Sequence, residues 1–446
     1  MSVEPTQQAA VEVLPCRLTT LPAPRRWLYR GIALGMAAIG CELILQVTAL
    51  ISPAARIALG PPNQRAALTS LGIPIAVTDD LLGYRGNPAF PTHDSLGYPN
   101  RRVPASVEIV AIGDSQTYGA VGKPERAWPA ALHAQVGASV YNMSFGGWGP
   151  IQYRDVLDKA LAFTPTTIIV GVYFGNDLYD AYHSVYQRNQ HLELRTPGAL
   201  AAIEEVERNG PVIDATKTLV MSQPRKDAKP APQGVIARCR LGLSEHSKLY
   251  GASRWIMDQG SALLFPVATM AAEREQRWLR QLAWANRHPD LGQAFEHGRF
   301  RTIVASPYRN LVLDLSDPRI AEGLAITRRV LELCDRRCEE AGVSFAVVLI
   351  PTKETVFSAL ADDQDAHGRL AGLVANEARV RRQLCESLEQ LGITHIDALG
   401  HLQDCFRRTN QPYPVTRDGH PNADGHRAIA RAAAETLANG HRQSSP

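Results

Sequence analysis

The stretch Val107-Glu-Ile-Val-Ala-Ile-Gly-Asp-Ser-Gln-Thr-Tyr-Gly119 decides how the rest of the sequence is interpreted. Val107 to Ile112 is a short run of small and β-branched residues, which is typical of a strand buried on both faces of a parallel sheet. The run ends in a Gly-Asp-Ser turn, and a helical pattern follows. Polar residues in such a turn lie where open α/β sheets place their ligand crevice. Ser115 is therefore a candidate nucleophile.

A β/α alternation extends outward from this stretch. Further short apolar runs predict strands, and amphipathic stretches between them predict helices. Such an alternation predicts an α/β fold, in which a parallel sheet carries helices on both faces. Residues 79–102 are rich in Gly, Pro and Asn and predict an irregular segment before the first strand. The predicted strands are 107–112, 139–143, 167–173, 344–350 and 393–398, and the main helices are about 151–163, 319–341, 370–391 and 427–438.

Polar and small residues follow several of these strands. Gly147 lies in the loop after the second strand, Asn176 follows the third strand, and Asp418 and His420 precede the last helix. A serine nucleophile needs a base, a group that orients the base, and donors for an oxyanion. Because the carboxyl ends of parallel strands meet at one edge of a sheet, these groups are expected to converge there with Ser115.

In order along the chain, these blocks resemble those of the SGNH, or GDSL-type, hydrolase superfamily. The resemblance covers residues 79–185 and 305–440. It implies a three-layer α/β/α, flavodoxin-like fold and no metal or other cofactor. The blocks that carry it are Gly113-Asp-Ser115, Asn142 with Gly147, Gly175-Asn-Asp177 and Asp418-Gly-His420-Pro-Asn422.

The resemblance also implies roles for individual residues. Ser115 would be the nucleophile, His420 the base and Asp418 the acid that orients it. The oxyanion hole would consist of the Ser115 N–H, Gly147 and Asn176. Asp114 and Asp177 are expected to hold their loops rather than to react.

Three points of the site remain open on sequence grounds: the acid, the base and the glycine of the oxyanion hole. The commonest spacing in the superfamily is Asp-x-x-His, which would put the acid at Arg417, whereas this sequence has Asp-x-His. A second Asp-Gly-His ends at His426, which makes that residue the rival base. His420 is preferred because Pro-Asn follows it and because His426 would fall in the first turn of the last helix. Gly146 is the alternative to Gly147.

The N-terminal part, the Gly83-Tyr-Arg segment and Leu349-Ile-Pro-Thr-Lys-Glu354 resemble a bacterial membrane-anchored branch linked to cell-surface polysaccharide acetylation. The resemblance implies an esterase or O-acyltransferase for acylated carbohydrate, with components of polysaccharide biosynthesis as partners. Trp148 and Lys353 are candidate substrate contacts, and an exposed ion pair is the alternative for Lys353. A catalytically weak glycan-binding or assembly component and a lipase or thioesterase are the competing functions.

Residues 31–51 form an almost wholly apolar run, long enough to cross a bilayer as a helix. Arg25, Arg26 and Arg30 precede it, which predicts a cytoplasmic N-terminus. The chain is therefore expected to be a single-pass inner-membrane protein with a periplasmic or extracellular catalytic domain. Glu42 near the middle of the run argues against this unless it is neutral or paired. A signal peptide and a buried core helix are the alternatives.

The predicted organisation has six parts. Residues 186–305 interrupt the β/α alternation and are interpreted as a helical insertion that could act as a lid. The other parts are a disordered cytoplasmic leader (1–24), the anchor (25–53), the first part of the hydrolase domain (54–185), its second part (306–440) and a tail (441–446).

Composition excludes several function classes. The net charge of +3 over 446 residues comes without a basic, aromatic-rich cluster, so nucleic acid is not an expected partner. The seven cysteines include no CxxC pair and no zinc-finger spacing. Cys334 and Cys338 are expected to share a buried helix face. If the domain is exported, Cys385 and Cys405 are a candidate disulfide.

Overall fold

A computed structural model of the protein describes residues 23–51, 72–119, 123–221, 247–250, 252–253, 266–304, 306–361 and 369–443. The chain divides into two units. The smaller unit comprises residues 1–62 and 234–258, and the larger unit comprises residues 63–233 and 259–446. The predicted leader lies outside the described residues, except for its last two positions.

The smaller unit contains one long helix, Ala23–Ile51. Its segment Trp27–Ile51, 25 residues long, has the length and apolar composition needed to cross a membrane. The predicted apolar run falls within this segment. Its large apolar side chains, such as Leu34 and Ile44, are exposed. The alternative of a buried core helix therefore does not fit the described residues.

Glu42, the polar exception in that helix, has hydrogen-bond partners within the same unit. Its carboxylate accepts hydrogen bonds from the backbone N–H groups of Lys248 and Leu249, at 2.8 and 2.7 Å. The Ser247 hydroxyl and the Gln46 amide donate to it as well. A carboxylate with four donors costs far less to remove from water than an unpaired one.

The larger unit is built on five parallel strands. They lie in the order β4-β3-β5-β8-β9 across the sheet. Numbered within this sheet alone, that order is 2-1-3-4-5, the flavodoxin-like arrangement. The predicted α/β class and all five predicted strands are confirmed, each end to within two residues. The strands are β3 (Ile109–Gly113), β4 (Val140–Ser144), β5 (Thr167–Tyr173), β8 (Ser344–Ile350) and β9 (Thr394–Asp397).

Side chains alternate along these strands and form one core on each face of the sheet. Val110, Ile168 and Val347 face one core, and their neighbours Ala111, Ile169 and Val348 face the other. Helices cover both faces, which gives the three layers. The first core is covered by Pro150–Asp155, Leu157–Leu161, Asp177–Tyr182, Pro318–Glu340 and Arg369–Gln390, and the second by Trp128–Val136, Leu399–Arg407 and Ala423–Gln443.

The candidate disulfide between Cys385 and Cys405 is wrong. Both side chains are free thiols. Cys385 packs against the core on one face of the sheet, whereas Cys405 belongs to the core on the other face. The sheet therefore separates the two sulfur atoms. Cys334 and Cys338 are buried on one helix face, as expected.

The segment before the sheet is partly regular. Strands β1 (Ala76–Asp79) and β2 (Gly83–Gly86) form an antiparallel hairpin, and β2 lies within the region predicted to be irregular. Beyond it, the Asp94 carboxylate accepts hydrogen bonds from the backbone N–H groups of Leu96 and Tyr98. The hydroxyl of Tyr141, on β4, donates to the same carboxylate at 2.7 Å. These bonds attach the segment to the sheet.

The insertion contains a hairpin as well as the predicted helices. Strands β6 (Gln293–His297) and β7 (Phe300–Val304) pair in antiparallel fashion, so the insertion contains a hairpin that the sequence did not predict. The Thr302 hydroxyl on β7 donates to the carbonyl of Pro414 at 2.9 Å. This hairpin therefore supports the loop before the last helix. A lid role for the insertion remains a prediction. Its described helices are Leu200–Asn209, Ile213–Met221 and Pro266–Arg287.

Candidate active site

Ser115, Asp418 and His420 form one continuous hydrogen-bonded chain. His420 Nε2 lies 2.8 Å from Ser115 Oγ, and His420 Nδ1 lies 2.6 Å from an oxygen of Asp418. We assign the imidazole proton to Nδ1, because a carboxylate can only accept. Nε2 then presents its lone pair to the serine hydroxyl, as a general base must.

The short Asp-x-His spacing is sufficient for this arrangement. The same oxygen of Asp418 that meets the imidazole also accepts the backbone N–H of His420, at 3.0 Å. This local turn folds the carboxylate back onto the ring. Arg417, which occupies the position of the more common acid, instead lies 4.3 Å from the ring centre of Trp284.

Charge in this chain is arranged for proton abstraction. Burial alone would raise the pKa of Asp418, but the hydrogen bonds and charge of His420 hold it well below its usual range. Burial opposes protonation of His420, yet the hydrogen bond and charge of Asp418, together with the charge of Asp114, raise the pKa of His420 above its ordinary value. About two fifths of the His420 side chain (41%) remains exposed, so a substrate can reach it.

The turn that presents Ser115 is held by its neighbours. β3 ends at Gly113, where an added Cβ would overlap the Thr117 hydroxyl, so only glycine permits the sharp entry into the helix Ser115–Tyr118. The Asp114 carboxylate caps this helix by accepting the backbone N–H of Gln116 at 2.8 Å. The serine is thereby fixed at the carboxyl edge of the sheet.

Two buried carboxyl groups support the loops, as the sequence predicted. Burial raises the pKa of Asp114 to about 6, against the opposing hydrogen bond from Gln116 and the charge of His420. Asp177 accepts the backbone N–H of Tyr173 at 2.9 Å and the hydroxyl of Tyr153 at 3.0 Å. Burial, and then the charge of Asp114, raises the pKa of Asp177 as well.

Gly146 and Gly147 lie beside the nucleophile. A Cβ on Gly146 would stand 3.6 Å from the Ser115 Cβ, and Gly147 has a backbone φ of +83° that favours glycine. The Tyr84 hydroxyl donates to the Gly147 carbonyl at 2.7 Å, in the place that a Cβ of residue 147 would fill. Tyr84, on β2, therefore fixes the peptide that follows Gly147.

The Asn176 side chain is engaged by carboxylates. Its amide nitrogen donates to Asp180 at 2.6 Å and to Asp177 at 3.2 Å. It also lies close enough to Asp114 to lower the pKa of that group through a hydrogen bond. Asn176 thus reaches the neighbourhood of Ser115, but its amide hydrogens point toward carboxylates in this structure.

Neither predicted substrate contact faces a substrate, and both predictions are wrong. Trp148 is fully buried, with Nε1 donating to the Tyr84 carbonyl at 3.0 Å. Lys353 is also fully buried, so it is not an exposed ion pair either. Its ammonium donates to the backbone carbonyls of Thr416 and Asp418, at 2.9 and 3.3 Å. Burial lowers the pKa of Lys353 to about 8. Lys353 holds the loop of the base.

His426, the rival base, is 2% exposed and lies in the helix Ala423–Gln443. Burial, and secondarily the charge of His420, lowers its pKa to about 3. Its Nδ1 has no hydrogen-bond partner among the described residues. A histidine in this environment cannot accept a proton from a serine near neutral pH.

Sequence reasoning missed Arg309 entirely. This residue lies in the helix Ser306–Leu313, directly after the insertion, and is 5% exposed. Its guanidinium donates to the carbonyl of Gly175, the residue before Asn176. No motif marks this position. A lone arginine in a stretch without periodicity carries no signal of burial.

Within the described ranges, no group of three or more His, Cys, Asp or Glu side chains could hold a metal ion. The arrangement that the structure does show is a serine, a histidine and an aspartate in series at one edge of the sheet. Such a series can carry out acyl transfer without help from a metal.

The sequence matches no protein-family model and no curated protein. Among solved structures, the chain is similar to a protein of the G-D-S-L family from Desulfitobacterium hafniense. The identity is 13% and the TM-score 0.33, over 74% of this chain and 100% of the other. It is also similar to an acetylxylan esterase from Geobacillus stearothermophilus, with 9% identity and a TM-score of 0.32, over 75% and 95%. A third similar structure, another acetyl xylan esterase, has 9% identity and a TM-score of 0.30, over 74% and 100%.

Proposed function

We propose that this protein is a serine esterase or O-acyltransferase of the SGNH type, anchored in a membrane, that removes or transfers acetyl groups on cell-surface polysaccharide. One observation carries the reaction class: the hydrogen-bonded series from Ser115 through His420 to Asp418. The TM-scores of the similar structures are too low to add weight. The acetyl group and the glycan are proposed from the resemblance of the N-terminal part, the Gly83-Tyr-Arg segment and Leu349–Glu354 to the branch linked to polysaccharide acetylation.

The reaction proceeds in two halves. Ser115 Oγ attacks the acyl carbonyl while its proton passes to His420 Nε2, and Asp418 stabilises the imidazolium. The tetrahedral oxyanion collapses, the C–O bond to the alcohol breaks, and the alcohol takes the proton from His420. Water or a sugar hydroxyl then gives a proton to His420 and attacks the acyl-enzyme. The second tetrahedral intermediate collapses, the ester bond to Ser115 Oγ breaks, and Ser115 takes the proton back from His420.

Stabilisation of the oxyanion falls to the Ser115 and Gly147 N–H groups, with the Asn176 amide as the third donor. Asp180 accepts a hydrogen bond from that amide at 2.6 Å. We propose that Asn176 turns one of its two amide hydrogens toward the oxyanion and keeps the other on Asp180. Fixed donors of this kind are worth about 10²- to 10³-fold in rate each.

The membrane topology is part of the proposal. The helix Trp27–Ile51 is long and apolar enough to span a bilayer. Arg25, Arg26 and Arg30 precede most of the apolar segment, which favours a cytoplasmic N-terminus. The catalytic unit would then act outside the cytoplasm, where cell-surface glycans are modified. A reporter fused after residue 443, active only outside the cytoplasm, tests this orientation.

The direct test is acetate release from an activated acetyl ester by the full-length protein in detergent. Wild type should release acetate, and Ser115→Ala should release none above background. Adding an oligosaccharide acceptor distinguishes transfer from hydrolysis, and a series of longer acyl chains tests the lipase or thioesterase function. A folded protein that neither releases acetate nor labels at Ser115 with a fluorophosphonate would contradict the proposal.

A second function is favoured by one observation, the engagement of the Asn176 amide by Asp180 and Asp177. If that amide never turns, the protein keeps the fold with little turnover and serves as a glycan-binding or assembly component. The same measurements decide between the two functions. Retained oligosaccharide binding with no acetate release would support the binding function.

A further inference from the structure

Arg309 occupies the space between two loops of the candidate site. On one side, its Nη1 donates to the Gly175 carbonyl, next to Asn176. Its guanidinium carbon also lies 5.2 Å from the ring centre of Tyr173, the last residue of β5. Arg309 therefore contacts both the end of the strand and the loop that carries the third oxyanion donor.

On the other side, Arg309 meets the loop of the base. A Cβ added to Gly419 would stand 3.1 Å from Arg309 Nη2, and a Cβ added to Gly175 would stand 2.6 Å from Nη1. Both loops thus approach the guanidinium through glycines. Gly419 lies between Asp418 and His420, so this approach reaches the centre of the catalytic series.

Among the described residues, no close ion pair accounts for the burial of Arg309. The charges of Glu354 and Glu377 favour its charged form from a greater distance, and the ring centre of Tyr308 lies 5.2 Å from its guanidinium carbon. Among the residues that the structure describes, Arg309 forms no ion pair with a carboxylate, and the bond to Gly175 is its one hydrogen bond. A guanidinium with five donors and no ion-pair partner is costly to bury for packing alone. Its position between two functional loops gives that burial a reason.

The charge of Arg309 also bears on His420. The charged groups that act on His420 are Asp418 in its own loop, Asp114 beside Ser115, and Arg309. His426, in the following helix, also interacts with the charge of His420, and Lys353 is bound to the Asp418 carbonyl in the same loop. The two aspartates favour the protonated imidazole, and Arg309 opposes it.

We propose that Arg309 is a positioning residue that ties the Asn176 loop to the His420 loop. It acts through these loops and does not touch the substrate. This inference rests on the proposed acyl-transfer function. It adds a residue from the insertion boundary to a site otherwise built from the sequence blocks.

The experiment compares full-length wild type with Arg309→Met and Arg309→Lys, in kcat and KM for an activated acetyl ester across pH. Arg309→Met should lower kcat about tenfold or more with little change in KM, as expected for the loss of one charge-assisted hydrogen bond. It should also move the acidic limb of kcat/KM to higher pH, because the imidazolium loses a repelling charge. Arg309→Lys should lower kcat but leave the limb in place.

Arg336→Met is the matched control. Arg336 is an exposed arginine that pairs with Glu332 one turn away on its own helix. The Arg336→Met substitution should leave kcat, KM and the pH profile unchanged. A folded Arg309→Met protein with the kinetics and pH profile of wild type would overturn the inference.

A double-mutant cycle with Gly419→Ala tests the tie between the loops directly. The backbone of Gly419 does not have a positive φ, so the new methyl group meets chiefly Arg309 and the Tyr173 hydroxyl, at 3.1 and 3.3 Å. Gly419→Ala should be several-fold more harmful in wild type than in Arg309→Met. Strictly additive effects would overturn the inference. The same cycle can be measured by thermal unfolding, so it tests the tie between the loops even if wild type shows no turnover. Absence of turnover would contradict the proposed function and not this inference.

Discussion

The tripeptide Asp-Gly-His occurs twice near the end of the chain, at residues 418–420 and 424–426. The two copies meet different surroundings. The first lies in a loop at the carboxyl edge of the sheet, where its histidine meets Ser115 at 2.8 Å. The second lies in the helix Ala423–Gln443, and its histidine is 2% exposed.

Asn422 marks the boundary between the two copies. Its side-chain oxygen accepts the backbone N–H groups of Asp424 and Gly425, at 2.9 and 3.2 Å, so it caps the last helix. The Asp424 carboxylate then pairs with Arg427 on the helix surface. Asp418 instead folds back onto His420. According to the element that contains them, the same three residues thus form either a turn that brings a histidine to Ser115 or the first turn of a helix.

The largest effect should separate the two histidines. His420→Ala should lower kcat for an activated acetyl ester by about 10³-fold or more, as loss of a triad member does. His426→Gln should keep kcat within a few-fold of wild type, because its ring does not reach Ser115. Circular dichroism of both variants checks that they are folded. Loss of activity in His426→Gln alone would reverse the assignment of the base.

Substitutions of the two aspartates should differ in kcat nearly as much as substitutions of the two histidines. Asp418→Asn removes the acceptor that fixes the imidazole tautomer, so kcat should fall by about 10³-fold. Asp424→Asn breaks only a partly exposed pair with Arg427, whose worth is about 0–1 kcal/mol. Steady-state kinetics of the two variants, measured side by side, makes the comparison. Equal losses would show that the second copy also belongs to the site.

Activity should follow the protonation of the first histidine. Its raised pKa places the acidic limb of kcat/KM above the ordinary histidine value of about 6.5, with about a tenfold loss per pH unit below it. The His426→Gln variant should keep this limb unchanged. Kinetics from pH 5 to 9 in constant ionic strength measures both. A limb that moves in His426→Gln would link the second copy to catalysis.

The contributions of the two histidines to the free energy of unfolding should change with pH in opposite directions. The pKa of His426 falls to about 3 on folding, so unfolded chains bind more protons between about pH 6.5 and 3, and stability is lost as pH falls through that range. The raised pKa of His420 stabilises the fold below about pH 6.5, and this gain is lost as pH rises through its folded value. Thermal unfolding of His426→Gln should therefore depend less on pH between about 6 and 4 than that of wild type. An unchanged slope would contradict the low pKa.

The smallest effect concerns the boundary residue. Asn422→Ala should cost about 1 kcal/mol of stability, the usual worth of a helix cap. It should lower kcat only slightly, because the Asp418 turn does not use Asn422. Denaturant unfolding measures the first effect and ester kinetics the second. Asn422→Asp can still cap but cannot donate to the Gln411 carbonyl as the Asn422 amide does, so it should restore only part of the stability.

The sequence was informative where burial is uniform and contacts are local. Five strands could be placed because they contain short, wholly apolar runs such as residues 345–350. The residues of the series could be named because each follows a strand or precedes a helix. Local patterns say nothing about the direction of a side chain, however. Lys353 and Trp148 follow strands as well, yet both point into the protein.

Contacts between distant segments could not be predicted either, because they too depend on more than local sequence patterns. The apolar periodicity of residues 293–304 is too short to separate a hairpin from a helix. The position of Arg309 is explained by its contacts with Gly175 and Gly419, which are far away in the sequence. Tyr84 likewise depends on Gly147. Arg309 and Tyr84 each support a loop that carries predicted site residues.

The pairing of β5 with β8 has a consequence for the order in which the site assembles. Residue 167 on β5 pairs with residue 344 on β8, so the first three strands of the sheet are synthesised long before β8 is available to pair with them. Long-range parallel pairing of this kind forms slowly. During synthesis, the segment that carries Ser115 leaves the ribosome long before the segment that carries His420. A growing chain therefore holds Ser115 without its hydrogen bond to His420 until the loop before the last helix has docked.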